Sequence, residues 1–287
     1  MNTTTPLVAV VTGASRGAGR GIAVALGQHG ATVYVTGRTI NPGDAALPGT
    51  ISETADAVTA AGGKGIAVRV DHADDASVAA LFRQVEQEQG RLDILVNNVA
   101  HIDDALIQPG GFWEKSLSLA EIMDVGLRSQ YVASYYAAPM MVRQGSGLIA
   151  FTSSPGATCY MHGAAYGAQK AGTDKMAHDM AVDLKAHGVA TVSVWMGILA
   201  TERTRASALE RPDEYAQVLA IAETPEFTGH VIAAIHADPE RMALSGKTVI
   251  GAEQAQAYGI TDEGGKVPQS HRDWLGSPNT YSDAIVA

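Results

Sequence analysis

Cysteine is almost missing from this chain of 287 residues, where Cys159 stands alone. An internal disulfide is excluded, and a reducing compartment is the expected setting. Cys159 reads as a small buried apolar side chain, or as one turned to a cleft between Ser153 and Tyr166. Positive charge is also scarce: 20 Lys and Arg face 30 Asp and Glu, for a formal net charge of −10. That balance argues against nucleic acid or an anionic membrane as partner. Long apolar runs are missing too; Val189 to Ala200 is interrupted and too short to span a bilayer. Met1-Asn2-Thr3-Thr4-Thr5-Pro6 has no basic region and no signal-like apolar core, so a soluble cytoplasmic protein is expected. The nine histidines show no H-E-x-x-H or other tight ligand spacing, which argues against a catalytic metal. No Pro/Gly/Ser linker divides the chain, so one domain is expected, and at this size it needs no cross-links to bury a core.

What is present is an alternation of strand and helix patterns, the mark of a doubly wound parallel α/β sheet of Rossmann type. Leu7-Val8-Ala9-Val10-Val11 is a β-branched run suited to a strand buried on both faces. Thr12-Gly13-Ala14-Ser15-Arg16-Gly17-Ala18-Gly19 follows at once, and an Ala-rich helix begins near Gly19. Such a loop is an anion site, because free backbone N–H groups and the helix dipole both face the turn. Gly13 permits the tight turn, Gly17 lets backbone approach a pyrophosphate, and Gly19 allows close helix–strand packing. The spacing points to a dinucleotide.

The second strand, Thr32 to Thr36, ends in Gly37-Arg38-Thr39. An NAD site usually has an acid here for the ribose 2′-hydroxyl, yet none occurs before Asp44. Arg38, with Arg16 in the glycine loop, offers guanidinium groups suited to a 2′-phosphate, so NADP is expected and NAD less so.

Farther along, Tyr166 and Lys170 are separated by one helical turn, and Ser153 lies thirteen positions before the tyrosine. A phenol with a pKa of about 10 is a poor acid–base group at neutral pH. An ammonium on the same helix face would stabilise phenolate. Lowering that pKa by about 3 units corresponds to roughly 4 kcal/mol. Ser153 would then hold a substrate oxygen while Tyr166 moves its proton.

Together with Val70-Asp71 and Asn97-Asn98, these motifs resemble the short-chain dehydrogenase/reductase family, in order from about residue 6 to residue 251. Asp124-Val125-Gly126-Leu127-Arg128, Ser153-Ser154-Pro155-Gly156, Trp195-Met196-Gly197-Ile198 and Leu244-Ser245-Gly246-Lys247 are similar to the subgroup around dehydrogenase/reductase SDR family member 1. The resemblance implies an NADP(H)-dependent oxidoreductase interconverting a carbonyl and an alcohol. Its catalytic residues would be Ser153, Tyr166 and Lys170. Its cofactor contacts would be Gly13, Ser15, Arg16, Gly17, Ala18, Gly19, Arg38, Asp71, Asn98, Tyr166, Lys170, Gly197, Ile198 and Thr201. Asn97 would fix the sheet near the adenosine. It further implies a substrate lid over about 199–224 and a homodimer or homotetramer built through the two long helices.

Three departures stand out. The family's Asn-Asn-Ala-Gly reads Asn97-Asn98-Val99-Ala100, and its Pro-Gly reads Met196-Gly197. The asparagine that helps hold a proton-relay water in the family is Gly126 here, and its main-chain carbonyl is the expected replacement. That change leaves a nucleotide-binding sensor with weak turnover as the alternative function; a cofactor-free lyase conflicts with the glycine loop. Phe112 and Trp113 either line a substrate pocket or pin their loop to the core. A fairly apolar ketone or aldehyde is the expected substrate, met by Trp113, Pro155, Tyr160, Met161, Met196 and Leu199. Residues 1–259 read as the catalytic domain and 260–287 as an extension, either a polar tail or an arm reaching a neighbouring subunit with Trp274 as anchor.

Overall fold

The computed structural model describes residues 6–286. The first five residues, read above as free of targeting signals, lie outside them. Seven parallel strands form one sheet in the order β3-β2-β1-β4-β5-β6-β7. These are β1 (Val8–Val11), β2 (Thr32–Gly37), β3 (Lys64–Arg69), β4 (Ile94–Asn97), β5 (Gly147–Ser153), β6 (Val189–Trp195) and β7 (Lys247–Ile250). The order reverses between β1 and β4, and the crevice beyond their carboxyl ends is where an open α/β sheet takes its ligand.

Alternation along each strand divides the core between two faces. Ala9 and Val11 of β1 face one layer with Ile22 and Leu26 of α1 (Gly17–Gln28), Val58 of α2 (Ile51–Ala60) and Phe227, Val231 and Ile235 of α9 (Pro225–Ala237). Val8 and Val10 face the other, with Leu81 and Phe82 of α3 (Asp75–Gln89), Ala137 and Met141 of α5 (Ser129–Gln144) and Ala177 and Leu184 of α6 (Ala164–Leu184). A side chain one position out of register would exchange faces, so burial on both sides pins every strand.

Local chemistry sets the ends. Thr50 and Glu53 form a reciprocal capping box on α2. Asp74 caps α3, and Gly90 ends it in the left-handed region at φ 66°. The helical stretch leading into α5 is interrupted. A 3-10 turn (Leu117–Ala120) and α4 (Glu121–Met123) lead into a π segment over Asp124–Arg128 before α5 begins. Gly126 sits in that π segment, the kind of irregularity that recurs at functional sites. No helix among the described residues is long and apolar enough to cross a membrane.

Beyond β6 come α7 (Glu202–Glu210) and α8 (Pro212–Ile221), neither of which buries a side chain. After α10 (Gly251–Tyr258) the C-terminal segment folds back over its own chain, through α11 (Arg272–Leu275). Asp262 accepts from Thr224 N–H at 2.8 Å, from the Thr224 hydroxyl and from Glu263 N–H, fixing the start of α9. Lys266 Nζ donates to the Ala220 and Ala222 carbonyls at 3.1 and 2.6 Å. Arg272 grips Glu253 in a fork, and the buried His271 ring lies 5.9 Å from the Trp195 ring. Trp274, the expected anchor on a neighbouring subunit, is 56% exposed on this chain, while His271 takes the buried position on that turn. Asp262→Ala strips three donors of their acceptor and should cost about 2–3 kcal/mol, since one of them is a half-buried backbone N–H. Urea unfolding that shows a lower midpoint at unchanged slope checks this.

Candidate active site

The nucleotide cradle is built by β1, α1 and the end of β4. Thr12 donates from its hydroxyl to Val96 O and accepts from the Asn98 and Val99 N–H groups at 2.9 and 3.0 Å. Asn98 Nδ2 in turn donates to the Thr12 and Gly13 carbonyls, so it clamps the glycine loop to β4. Gly13 and Gly17 hold φ of 65° and 57°, and a Cβ on Gly13 would come within 2.7 Å of the Val99 backbone. Bulkier residues are excluded at Gly13 by space and by backbone conformation, and disfavoured at Gly17 by conformation. On Gly19 a Cβ would meet Gly13 O and Asn98 Nδ2. Ser15 is buried in the loop, with Ala18 half-buried beside it. This cradle fits a dinucleotide: tight left-handed turns bring bare backbone to the N-terminus of α1.

At the end of β2, Asp44 accepts from Ile40 and Asn41 N–H, at 3.2 and 2.8 Å, and those bonds hold its carboxyl below the ordinary value. It closes a turn on its own backbone. Arg16 is engaged with the insert that follows: Nε donates to Pro48 O, and Nη2 to Gly49 O and Thr39 Oγ1. Arg38 is exposed and makes no side-chain hydrogen bond or ion pair among the described residues. Asp71, expected near the adenine, caps Ala73 N–H at 3.0 Å and lies exposed just past β3.

On α6, Tyr166 and Lys170 share a face with Asp174, one turn further on. Asp174 is fully buried and accepts from Ser193 Oγ at 2.6 Å and Trp195 Nε1 at 2.8 Å. Sequence reasoning missed it, although the fourfold spacing from Tyr166 through Lys170 continues to it.

The serine expectation needs correction. Ser154, not Ser153, meets the tyrosine: Ser154 Oγ lies 2.9 Å from Tyr166 Oη. Ser153 is the last residue of β5 and points under α6, its hydroxyl 3.5 Å from the Lys170 carbonyl and supporting Asp174. Successive residues of an extended chain face opposite ways, so only one of the pair can enter the cleft. Counting thirteen residues back overshoots by one.

The electrostatic expectation is also reversed. Burial pushes the Tyr166 phenol above its ordinary value, only partly offset by the Ser154 hydrogen bond. Burial likewise lowers Lys170 to about 8, against the opposing pull of Asp174. Lys170 Nζ donates to Thr152 O at 3.3 Å and stands 5.5 Å from the Tyr166 ring centre. The amine is itself desolvated, so burial of the phenol outweighs its proximity.

Gly126 was expected to offer a free carbonyl for a relay water. That carbonyl instead accepts from Gln169 Nε2 at 2.6 Å, while the same amide nitrogen donates to Thr173 Oγ1 at 3.1 Å. A Cβ at 126 would lie 3.2 Å from Gln169 Cγ. Gln169 therefore fills the room that a side chain at 126 would need.

On the opposite side of the crevice, Met196-Gly197-Ile198-Leu199 leaves β6. Ile198 is exposed, and Thr201 caps α7 through Thr204 N–H. Glu223, buried and unforeseen in the sequence, accepts from Gly197 N–H at 3.2 Å and bridges by backbone to Ile198 and Ala200. Burial raises its carboxyl to about 7. Of the expected pocket residues, Pro155 and Leu199 are buried, whereas Tyr160 is exposed. Phe112 and Trp113 meet edge to face at 5.3 Å but are 72% and 74% exposed, so they do not pin their loop to the core. Cys159 is only half-buried.

A parallel sheet reversing at a glycine-rich cradle, with a tyrosine–lysine helix beside it, defines a nucleotide-dependent oxidoreductase of the short-chain class. The short chain dehydrogenase family signature matches residues 7–212. The chain is 40% identical to human dehydrogenase/reductase SDR family member 1 over 275 residues, 92% of this chain and 85% of that protein. A short chain dehydrogenase from Mycobacterium thermoresistibile superposes with a TM-score of 0.77 at 25% identity, covering 96% of both chains. A metagenomic short-chain oxidoreductase in complex with NADP gives 0.67 at 27% identity, covering 85% of this chain and 95% of that one. The chain belongs to the short-chain dehydrogenase/reductase family of NAD(P)-dependent enzymes, in the subgroup of that human relative.

Glu223 makes a pH test available. Its folded carboxyl keeps a proton, between 4.5 and about 7, that the unfolded chain has released. Its contribution to stability is complete below pH 4.5 and is lost as pH rises through about 7. Glu223→Gln keeps an acceptor for Gly197 N–H without a charge to ionise. Relative to wild type it should gain about 3 kcal/mol at pH 8 and little near pH 4.5, read by denaturant unfolding across that range.

Proposed function

We propose that this enzyme is an NADP(H)-dependent reductase of fairly apolar ketones or aldehydes, with Ser154, Tyr166 and Lys170 as its catalytic groups. The observation that carries the reading is the Ser154–Tyr166 hydroxyl pair at 2.9 Å, beside a buried lysine. Two hydroxyls at that spacing form a fork for one carbonyl oxygen. Ser154 donates a hydrogen bond to it, and Tyr166 passes its proton as the oxygen gains charge. Lys170 holds positive charge next to the phenol as the proton leaves. The chemistry supplied by the bound cofactor is hydride transfer. Ser153 is reassigned to holding α6 on the sheet.

The cofactor would be held by Gly13, Ser15, Arg16, Gly17, Ala18 and Gly19 at the phosphates, and by Asn98, Gly197, Ile198 and Thr201 toward the nicotinamide. NADP is favoured by Arg38, exposed at the end of β2, and by the commitment of Asp44 to its own turn. Asp71 would reach the adenine. Exposed Ile102, Trp113, Tyr160 and Ile198 support an apolar substrate. Residues of about 199–224 would act as the lid and 260–287 as an extension bracing it. Exposed Tyr131 and Tyr135 on α5 support a homodimer or homotetramer through α5 and α6. The proposed setting is the cytoplasm, in keeping with the single cysteine.

A nucleotide-binding sensor with weak turnover is the second reading, favoured by the closing of the Gly126 carbonyl by Gln169. A ketone and aldehyde screen with NADPH decides between them. Tyr166→Phe and Ser154→Ala should each lower kcat by about 10²-fold or more, while folded Ser153→Ala keeps most of it. Equal turnover by Tyr166→Phe, or loss with Ser153→Ala but not Ser154→Ala, would reject the assignment. As the Lys170 ammonium titrates at about 8, kcat/KM should fall above that pH, as a pH–rate profile of the wild type would read.

A further inference from the structure

The first N–H of α1 finds its partner far along the chain. Arg16, at the N-cap, gives no side-chain capping hydrogen bond to α1, and the first turn of α1 carries no acid. Gly17 N–H instead donates to Glu202 Oε2 at 2.9 Å, across 185 positions of sequence. Glu202 opens α7, immediately after the Thr201 cap. Its neighbour Arg203 pairs with Asp104, on the loop beyond β4. One end of α7 is thus tied to the glycine loop and to the opposite wall of the crevice. With no buried side chain in α7 or α8, polar ties of this kind set where the pair lies.

A carboxylate on that N–H occupies the feature that makes a glycine loop a diphosphate cradle. Two anions do not share one donor, and their mutual repulsion is strong in a partly buried crevice. We infer that Glu202 is an affinity-determining residue: its carboxylate stands in for a cofactor phosphate on Gly17 N–H, and dinucleotide binding must displace it and release the start of α7. The inference rests on the dinucleotide reading of the cradle. It makes cofactor binding and lid position one equilibrium, because the nucleotide and α7 compete for the same donor.

The test is direct binding to the full-length protein. Glu202→Gln retains an acceptor for Gly17 N–H and removes the charge; Glu202→Ala removes both. Titration of NADPH, followed by its fluorescence, should show both variants binding tighter than wild type, by roughly tenfold. Adenosine, which has no phosphate, should show no gain. A wild type that binds NADPH with variants that bind it no more tightly overturns the latch and leaves the dinucleotide reading standing. An equal gain for adenosine also overturns it, since charge at the cradle would not be the cause. If neither wild type nor variants bind NADPH or NADH, the dinucleotide reading fails and the latch fails with it.

Discussion

The buried carboxylate of Asp174 sets the height of α6 on the sheet. Its acceptors take Ser193 and Trp195 from β6, with support from Ser153 at the end of β5. Burying such a group is costly unless its oxygens are satisfied, so the helix has one favourable position along the strands. Tyr166 and Lys170 are two turns and one turn away on the same face. Their placement over the crevice therefore follows from a contact that performs no chemistry. Ser153 serves this anchoring network, which frees Ser154 for the phenol.

Desolvation then decides which proton state the site rests in. Burial raises Tyr166 and lowers Lys170, so both are pushed toward their neutral forms. A phenol kept protonated is a proton donor in waiting, which suits the reductive direction proposed above. The separation of charge that lysine alone was expected to impose is opposed by the same dry surroundings. Thr152 O holds the amine in reach without neutralising it.

Much of the framework was legible because it depends on local periodicity. The first two β-branched strands and the glycine loop between them follow from pattern alone. The Tyr166 and Lys170 positions follow from a four-residue spacing. Failures arise where tertiary contacts choose between equivalent residues. Adjacent Ser153 and Ser154 differ only in the direction each faces, which depends on where β5 ends. Gly126 looked like an open carbonyl because Gln169, 43 residues away, carries no sign of reaching it. Glu223 and Asp262 carry no motif that marks them; each is fixed by a distant backbone N–H, of Gly197 and Thr224. His271 carries no sequence signal of burial, yet its ring fits against Trp195.

That returning segment and the glycine loop act on opposite ends of one poorly buried element. Lys266 holds the carbonyls at the exit of α8, and Asp262 fixes the start of α9. Glu223 ties the intervening bridge to Gly197 and so to the end of β6. The exit is braced by several buried or half-buried contacts, whereas the entry hangs on Thr201, Glu202 and Arg203. Segments with few buried apolar contacts open at low free-energy cost. Local opening of α7 and α8 is therefore expected to begin at the entry and not at residues 221–224. The C-terminal extension thus braces the exit of a helix pair that buries no side chain, while Glu202, bonded to the glycine loop, holds its entry.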